Sequence, residues 1–282
     1  MKFLRHGAAG AEKPGCVDAN GTLRDLSGIA IDFAGAGVAS DALAALADRD
    51  LSDLPELAPD TRIGCALADV PNFYCIGLNY ARHAAETGAE PPKEPIIFSK
   101  ATSALSGPFD PVVIPKDSEK TDWEVELGVV IGREVAHVRE AQALDCVSAY
   151  CTINDVSERA FQIERGGQWI KGKSAPSFAP LGPWLVSAAD IADPQNLALS
   201  LKLNGETVQS SSTSDMIFGV AEIISYMSRF MTLRPGDVIA TGTPEGVGMG
   251  MRPQRFLRPG DVMDVHVEGL GTQRQEAKAY GT

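Results

Sequence analysis

The sequence predicts a β-rich α+β fold, with a small N-terminal domain over residues 1–69 ahead of a larger domain over residues 70–282. Three observations carry this expectation. The 282 residues include 28 glycines and 18 prolines, a turn content that suits strands better than a helical bundle. The composition changes near residue 65, from an Ala-, Gly- and Asp-rich segment closed by Pro55 and Pro59 to one rich in short apolar runs. Finally, DWEVELGVVIG, from Asp122 to Gly132, reads as a strand bound for the interior.

The elements follow in order. A weak strand signal lies near Met1–Arg5, a turn at Asn20–Gly21 and a helix near Ser40–Ala47, in a segment expected to serve packing and assembly. Asn79 is the expected N-cap of a short helix through Glu86, which the tract ETGAEPPKEP ends. Ile96–Lys100 and Val112–Ile114 read as short strands, and Ala149–Asn154 as another. A helix is expected to start over Ser157–Gln162. LKLNGETVQ is a hairpin by its Asn204–Gly205 turn. Ile217–Phe230 shows helical periodicity. LRPGDVI and LRPGDVM, starting at Leu233 and Leu257, each place a Pro-Gly-Asp turn before a strand.

Composition excludes several classes. A formal charge of −12 argues against nucleic acid and means that an anionic substrate needs a local cluster of cations. No apolar run reaches membrane-spanning length, and MKFLRHGAAGAEKPG lacks the apolar core of a secretory signal, so a cytoplasmic protein is expected. Five scattered cysteines without CxxC spacing fit free buried thiols. Four histidines, none closely paired, give a histidine-built metal site little to work with.

In the strand at 122–132, side chains alternate, so Trp123, Val125, Leu127 and Val129 share one face. Glu124 and Glu126 project from the other, where Gly128 is expected to leave space beside them. Two buried like charges repel, and a divalent cation turns that repulsion into shared attraction. Asp155, at the end of a later strand, adds a third oxygen ligand, and an all-carboxylate set suits Mg²⁺. The plain alternatives are the solvated face of an edge strand for Glu124 and Glu126, and a capping box with Glu158 for Asp155. Arg159 and Gln162 fall on one helix face, and Lys173 is expected in a Gly- and Pro-rich loop. Beside a metal, these cations would hold a carboxylate and stabilise an oxyanion; alone, they are surface charges. His83 and Glu86 are spaced so that the carboxylate orients the imidazole as a general base, an arrangement that also occurs as a surface ion pair. In IATGTPEGVG, the Thr243 hydroxyl and nearby N–H groups could face a ligand, although the stretch is neither a P-loop nor a dinucleotide fingerprint.

Six ordered blocks resemble the fumarylacetoacetate hydrolase family: GLNYARHAAE (77–86), DWEVELGVVIG (122–132), INDVSERAFQ (153–162), KGKSAPSFAPLGP (171–183), DMIFGVAEIISYMS (215–228) and GDVIATGTPEGVG (236–248). The resemblance implies a mixed β-sandwich roll, often a homodimer, using Mg²⁺, Mn²⁺ or Ca²⁺ to chelate 2-oxo or 1,3-diketo acids. It implies that Glu124, Glu126 and Asp155 are the metal ligands. His83 and Glu86 match a lid pair that activates water, Lys173 a lysine stabilising an enolate, and Arg159, Gln162 and Thr243 substrate-binding positions. Ile76 stands where the animal-type enzyme carries a further aspartate ligand. The expected substrate is accordingly a small anionic 2-oxo acid, an acylpyruvate or a 2,4-diketo-3-deoxy sugar acid, cleaved to pyruvate and a carboxylic acid. Ureidoglycolate lysis, decarboxylation or isomerisation on the same fold, and a non-catalytic Ca²⁺ module are the alternatives.

Overall fold

The computed structural model describes all 282 residues. In chain order the strands and helices are β1 (Lys2–His6), β2 (Lys13–Val17), β3 (Leu23–Asp25), α1 (Ser40–Ala47), β4 (Phe73–Gly77), α2 (Ala81–Thr87), β5 (Ile96–Lys100), β6 (Leu105–Ser106) and β7 (Val112–Val113). Then come β8 (Thr121–Asp122), β9 (Val125–Ile131), α3 (Glu140–Ala143), β10 (Val147–Asn154), β11 (Ser157–Glu158), α4 (Arg159–Ile163), α5 (Ile170–Lys173) and β12 (Ala179–Ser187). The chain closes with β13 (Ala198–Leu203), β14 (Glu206–Ser212), α6 (Val220–Met227), β15 (Val238–Ala240), β16 (Val262–Val267) and β17 (Gly271–Lys278).

Ten strands form a mixed sheet, β3-β2-β1-β12-β10-β9-β15-β4-β5, with β6 added alongside β12. Most neighbours are antiparallel, but β15 runs parallel to β4, and β6 parallel to β12. A second sheet, β14-β13-β16-β17-β7, lies against β9, β10 and β12. Between them runs one apolar core, and β9 at its centre is buried along its whole length. A strand covered on both faces has no water to solvate a carboxylate, which overturns the edge-strand alternative for Glu124 and Glu126.

The N-terminal segment joins this architecture directly. Phe3 of β1 pairs with Leu185 of β12, and Phe3, Cys16 and Leu26 belong to the same core as the β9 residues.

Most local expectations match the elements. The Asn204–Gly205 turn has φ of 53° and 85°, the left-handed pair that a two-residue hairpin requires. In the two LRPGDV turns, Asp237 and Asp261 accept from Arg234 N–H at 2.8 Å and Arg258 N–H at 2.7 Å, so both copies use one Asp-closed turn before β15 and β16.

Others are corrected. Tyr80, not Asn79, caps α2, because the Asn79 amide is spent tying three segments together. It donates to the Phe218 and Thr241 carbonyls at 3.0 and 2.8 Å and accepts from Phe218 N–H at 2.8 Å. Asp155 caps nothing: Glu158 is the N-cap of α4 and accepts from Ala160 N–H at 3.1 Å. Ser157–Glu158 is a short strand against β8, so that helix begins only at Arg159. The Ile217–Phe230 helix is confined to Val220–Met227. Lys173 closes α5 and does not lie in a loop. Finally, Gly128 leaves no open space, since a Cβ there would meet Ile153 Cδ1 at 2.5 Å and Cys151 Sγ at 2.6 Å. The glycine lets β10 side chains close over β9.

Candidate active site

Alternation along β9 places Glu126 on the face opposite Val125 and Leu127, beside Ile153 of β10. Asp155 follows directly where β10 ends, and its N–H donates to the Glu124 carbonyl at 2.9 Å. The ligand oxygens of Glu124, Glu126 and Asp155 all lie within 4.8 Å of one another, and all three residues are buried. A cavity of about 280 Å³ opens beside them, and seven of the nine predicted site residues border it. The two that do not, Glu86 and Asp155, stand behind residues that do.

The charges form an alternating chain. Lys100 Nζ contacts Asp155, whose other oxygen takes Lys173 Nζ at 2.6 Å. Lys173 also contacts Glu124, and Arg159 Nη2 lies 2.7 Å from the second Glu124 oxygen. Arg159 Nε then donates to Asp122 Oδ2 at 2.8 Å. Three cations balance three acids, and Glu126 is left over. Its one hydrogen-bond donor is Gly242 N–H, at 2.8 Å. That approach requires glycine, since φ is +102° and a Cβ would stand 2.7 Å from Asn79 Cβ.

Protonation follows from this arrangement. Burial, then Asp155 and Glu124, pushes the Glu126 carboxyl well above its ordinary range. Burial acts the same way on Glu124, but Arg159 and Lys173 outweigh it and hold that carboxyl below the usual value. Burial lowers Lys100, while Lys173 is held above its ordinary value because Asp155 and Glu124 overcome the desolvation. A buried acid without a counter-ion, beside two acids with cavity access or near it, fits a hard divalent cation. Glu124, Glu126 and Asp155 would hold it.

Also bordering the cavity is His83, whose Nδ1 lies 2.9 Å from Glu86 Oε1 on α2, as the spacing predicts. Gly246 N–H fixes the other Glu86 oxygen at 2.9 Å. Arg159 and Gln162 share a face of α4, with Arg159 Nη1 donating to Gln162 Oε1 at 3.1 Å. This fixes the amide so that its NH₂ group is the end left for a ligand. Thr243 is more committed than expected: its hydroxyl donates to the Val125 carbonyl and accepts from Gln209 Nε2, both at 2.9 Å. Met249, just past the glycine-rich turn, also borders the cavity. Ile76 borders it too, so an aliphatic side chain stands where the resemblance implied a further acid.

Three further residues, Asp122, Lys100 and Gln209, help hold the site together. Asp122 accepts from Gly248 N–H at 2.7 Å and Met249 N–H at 3.0 Å as well as from Arg159, and so joins the glycine-rich turn to the site. Its signal was present, because Asp122, Glu124 and Glu126 form a D-x-E-x-E series with one period. Lys100 closes the apolar run IIFSK, where a charge at a buried strand end asks for a partner. Gln209, which accepts from Val125 N–H at 3.0 Å, carried no local signal.

Fold and site together define an acid-lined enzyme centre on a mixed sheet. The chain belongs to the fumarylacetoacetate hydrolase family: the description "Fumarylacetoacetate (FAA) hydrolase C-terminal" matches residues 72–277. A Burkholderia lata protein provisionally named a hydrolase is 52% identical over 279 residues, covering 99% of each chain. The solved fumarylacetoacetate hydrolase of Exiguobacterium antarcticum aligns over 99% of both chains with a TM-score of 0.85 and 36% identity. The 2-hydroxyhepta-2,4-diene-1,7-dioate isomerase of Mycobacterium marinum covers 100% of both, with a TM-score of 0.80 and 30% identity. No helix is long and apolar enough to cross a membrane.

Proposed function

We propose that this enzyme hydrolyses a carbon–carbon bond in a 2,4-diketo acid, giving pyruvate and a carboxylic acid, with Mg²⁺ or Mn²⁺ at Glu124, Glu126 and Asp155. One observation supports the reading above others: a three-acid cluster shares its cavity with a histidine held by a carboxylate. When bound, the cation would supply Lewis-acid polarisation of the 2-oxo group.

The chain's own groups do the rest. Arg159 and the free NH₂ of Gln162 hold the substrate carboxylate, and Lys173 adds positive charge beside the 2-oxo end. An ionised Glu86 can only accept, so the His83 Nδ1 hydrogen points to it and Nε2 is left as a proton acceptor. Nε2 takes a proton from water, and the water oxygen bonds to the C4 carbonyl carbon. The C3–C4 bond then breaks with its electron pair passing to C3. His83 returns the proton to C3, and pyruvate leaves. The His83–Glu86 pair supplies the base that activating a water requires.

The expected result is that chelator-stripped enzyme forms no pyruvate from acylpyruvates and that Mg²⁺ or Mn²⁺ restores it with one equivalent of carboxylic acid. Carbon dioxide in place of the second acid would reassign the enzyme as a decarboxylase. Full turnover in excess chelator would remove the cation from the reading.

A further inference from the structure

The cavity has two chemically different ends. Glu124, Glu126, Arg159 and Lys173 crowd one of them. The remaining wall is formed chiefly by Leu78, Phe98, Ile163, Trp169 and Met249. Phe98 marks the junction, with Lys173 Nζ 5.2 Å from its ring centroid and Trp169 packed edge-on at 5.2 Å. Trp169 is seated by a close approach to β4: a Cβ on Gly77 would stand 2.5 Å from its Cζ3. The strand thus gives up a side chain so that an indole can form the wall.

Apart from His83 Nε2 and the Gln162 NH₂, which the proposed reaction uses, the polar side chains bordering the cavity are already engaged. Arg159 and Lys173 are the only cations bordering the cavity, and both are bound to acids at the near end. The Thr87 hydroxyl donates to the His83 and Ala84 carbonyls at 3.0 Å each, and the Thr243 hydroxyl to Val125. Neither threonine has a hydrogen to offer. A second carboxylate would find no counter-charge here, and a polyhydroxy chain would lose its water without enough replacement partners.

Resting on the diketo-acid reading above, we infer that Phe98, Trp169 and Ile163 form an uncharged apolar receptor for the distal acyl group. The enzyme's substrates are then acylpyruvates with aliphatic or aromatic acyl groups. Sugar acids and dioates, including the kind of substrate named for the M. marinum isomerase, are disfavoured.

The test has a catalytic and a binding arm, both on Mg²⁺-loaded enzyme. Across a series of straight-chain acylpyruvates, kcat/KM is expected to rise about three- to four-fold per added methylene until the cavity is filled. A 2,4-diketo-3-deoxy sugar acid and a 2,4-diketo dioate should fall at least about ten-fold below the best of the series. In the binding arm, uncleavable 2-oxo acids are titrated by calorimetry: affinity should climb from pyruvate to 2-oxohexanoate, with 2-oxoglutarate gaining nothing. Ile163, half exposed at 52%, can be changed without disturbing the core. Ile163→Arg should erase the 2-oxohexanoate advantage and tighten 2-oxoglutarate, and Trp169→Ala should flatten the chain-length series. A sugar acid or dioate matching the best acylpyruvate, or 2-oxoglutarate binding as tightly as 2-oxohexanoate, overturns the receptor. If no diketo acid yields pyruvate but the binding series holds, the receptor stands and the hydrolytic reading falls.

Discussion

Glu126→Gln should make the metal-free protein more stable and leave it inactive. Glutamine keeps an oxygen for Gly242 N–H and removes the one acid in the cluster that no cation touches. At pH 7 the native state must hold Glu126 either charged and unpaired or protonated. Protonation costs about 1.4 kcal/mol for each pH unit above the unfolded value near 4.3, so the penalty is bounded at about 3.7 kcal/mol. Relief of most of it would raise Tm by about 5 °C for a chain of this size. The sign can be checked against pH. A carboxyl raised on folding binds more protons folded than unfolded, so it erodes stability as pH climbs from the ordinary carboxylate range toward its raised value. The variant should lack this part of the pH dependence. Turnover should fall by about 10²–10³ or more, the loss expected when a principal electrostatic group is removed. A variant less stable than its parent in chelator would show that Glu126 already has a partner.

Lys173→Met should act with the opposite sign on stability. Methionine copies the length of the chain but not the ammonium shared by Glu124 and Asp155. Removing one partner of a buried ionic contact typically costs about 3–5 kcal/mol, because the charges left behind have neither water nor counter-ion. In chelator, Tm should drop by about 5–10 °C. Saturating Mn²⁺ should recover more Tm in the variant than in the parent, since the ion then supplies the charge the lysine did. Activity should remain about 10²–10³ below the parent even in Mn²⁺, because the ammonium also faces the cavity. Equal melting of variant and parent in chelator would mean that Lys173 does not balance the acids.

The site was more legible in the sequence than the way it is held. Glu124, Glu126 and Asp155 declared themselves because a strand's two-residue period and a strand end are local features, and α2 and α4 place His83–Glu86 and Arg159–Gln162 by helical spacing alone. The family blocks supplied the order in which these pieces meet. What could not be read were partners set by distant chain. Lys100 reaches Asp155 from 55 residues away, and Gln209 reaches Val125 N–H from 84. Asn79 departs from its expected capping role for the same reason. As a cap it satisfies a local rule, but a buried amide with partners 139 and 162 residues away obeys tertiary demand first. Gly128 erred in the other direction: a missing side chain looked like room, and the neighbouring strand had already filled it.

The pairing of β1 with β12 has a practical bearing on any attempt to trim the protein to the segment that carries the chemistry. Cutting away the first three strands would bare the backbone of Leu185 and Val186 along a rim now sealed by hydrogen bonds, and would uncover part of the shared core. Such a rim is a template for another chain, so a shortened version should self-associate into insoluble ribbons even with every acid and base of the centre intact. Beyond any catalytic part, those early strands act as a hem that stops the sheet from unravelling into its neighbours.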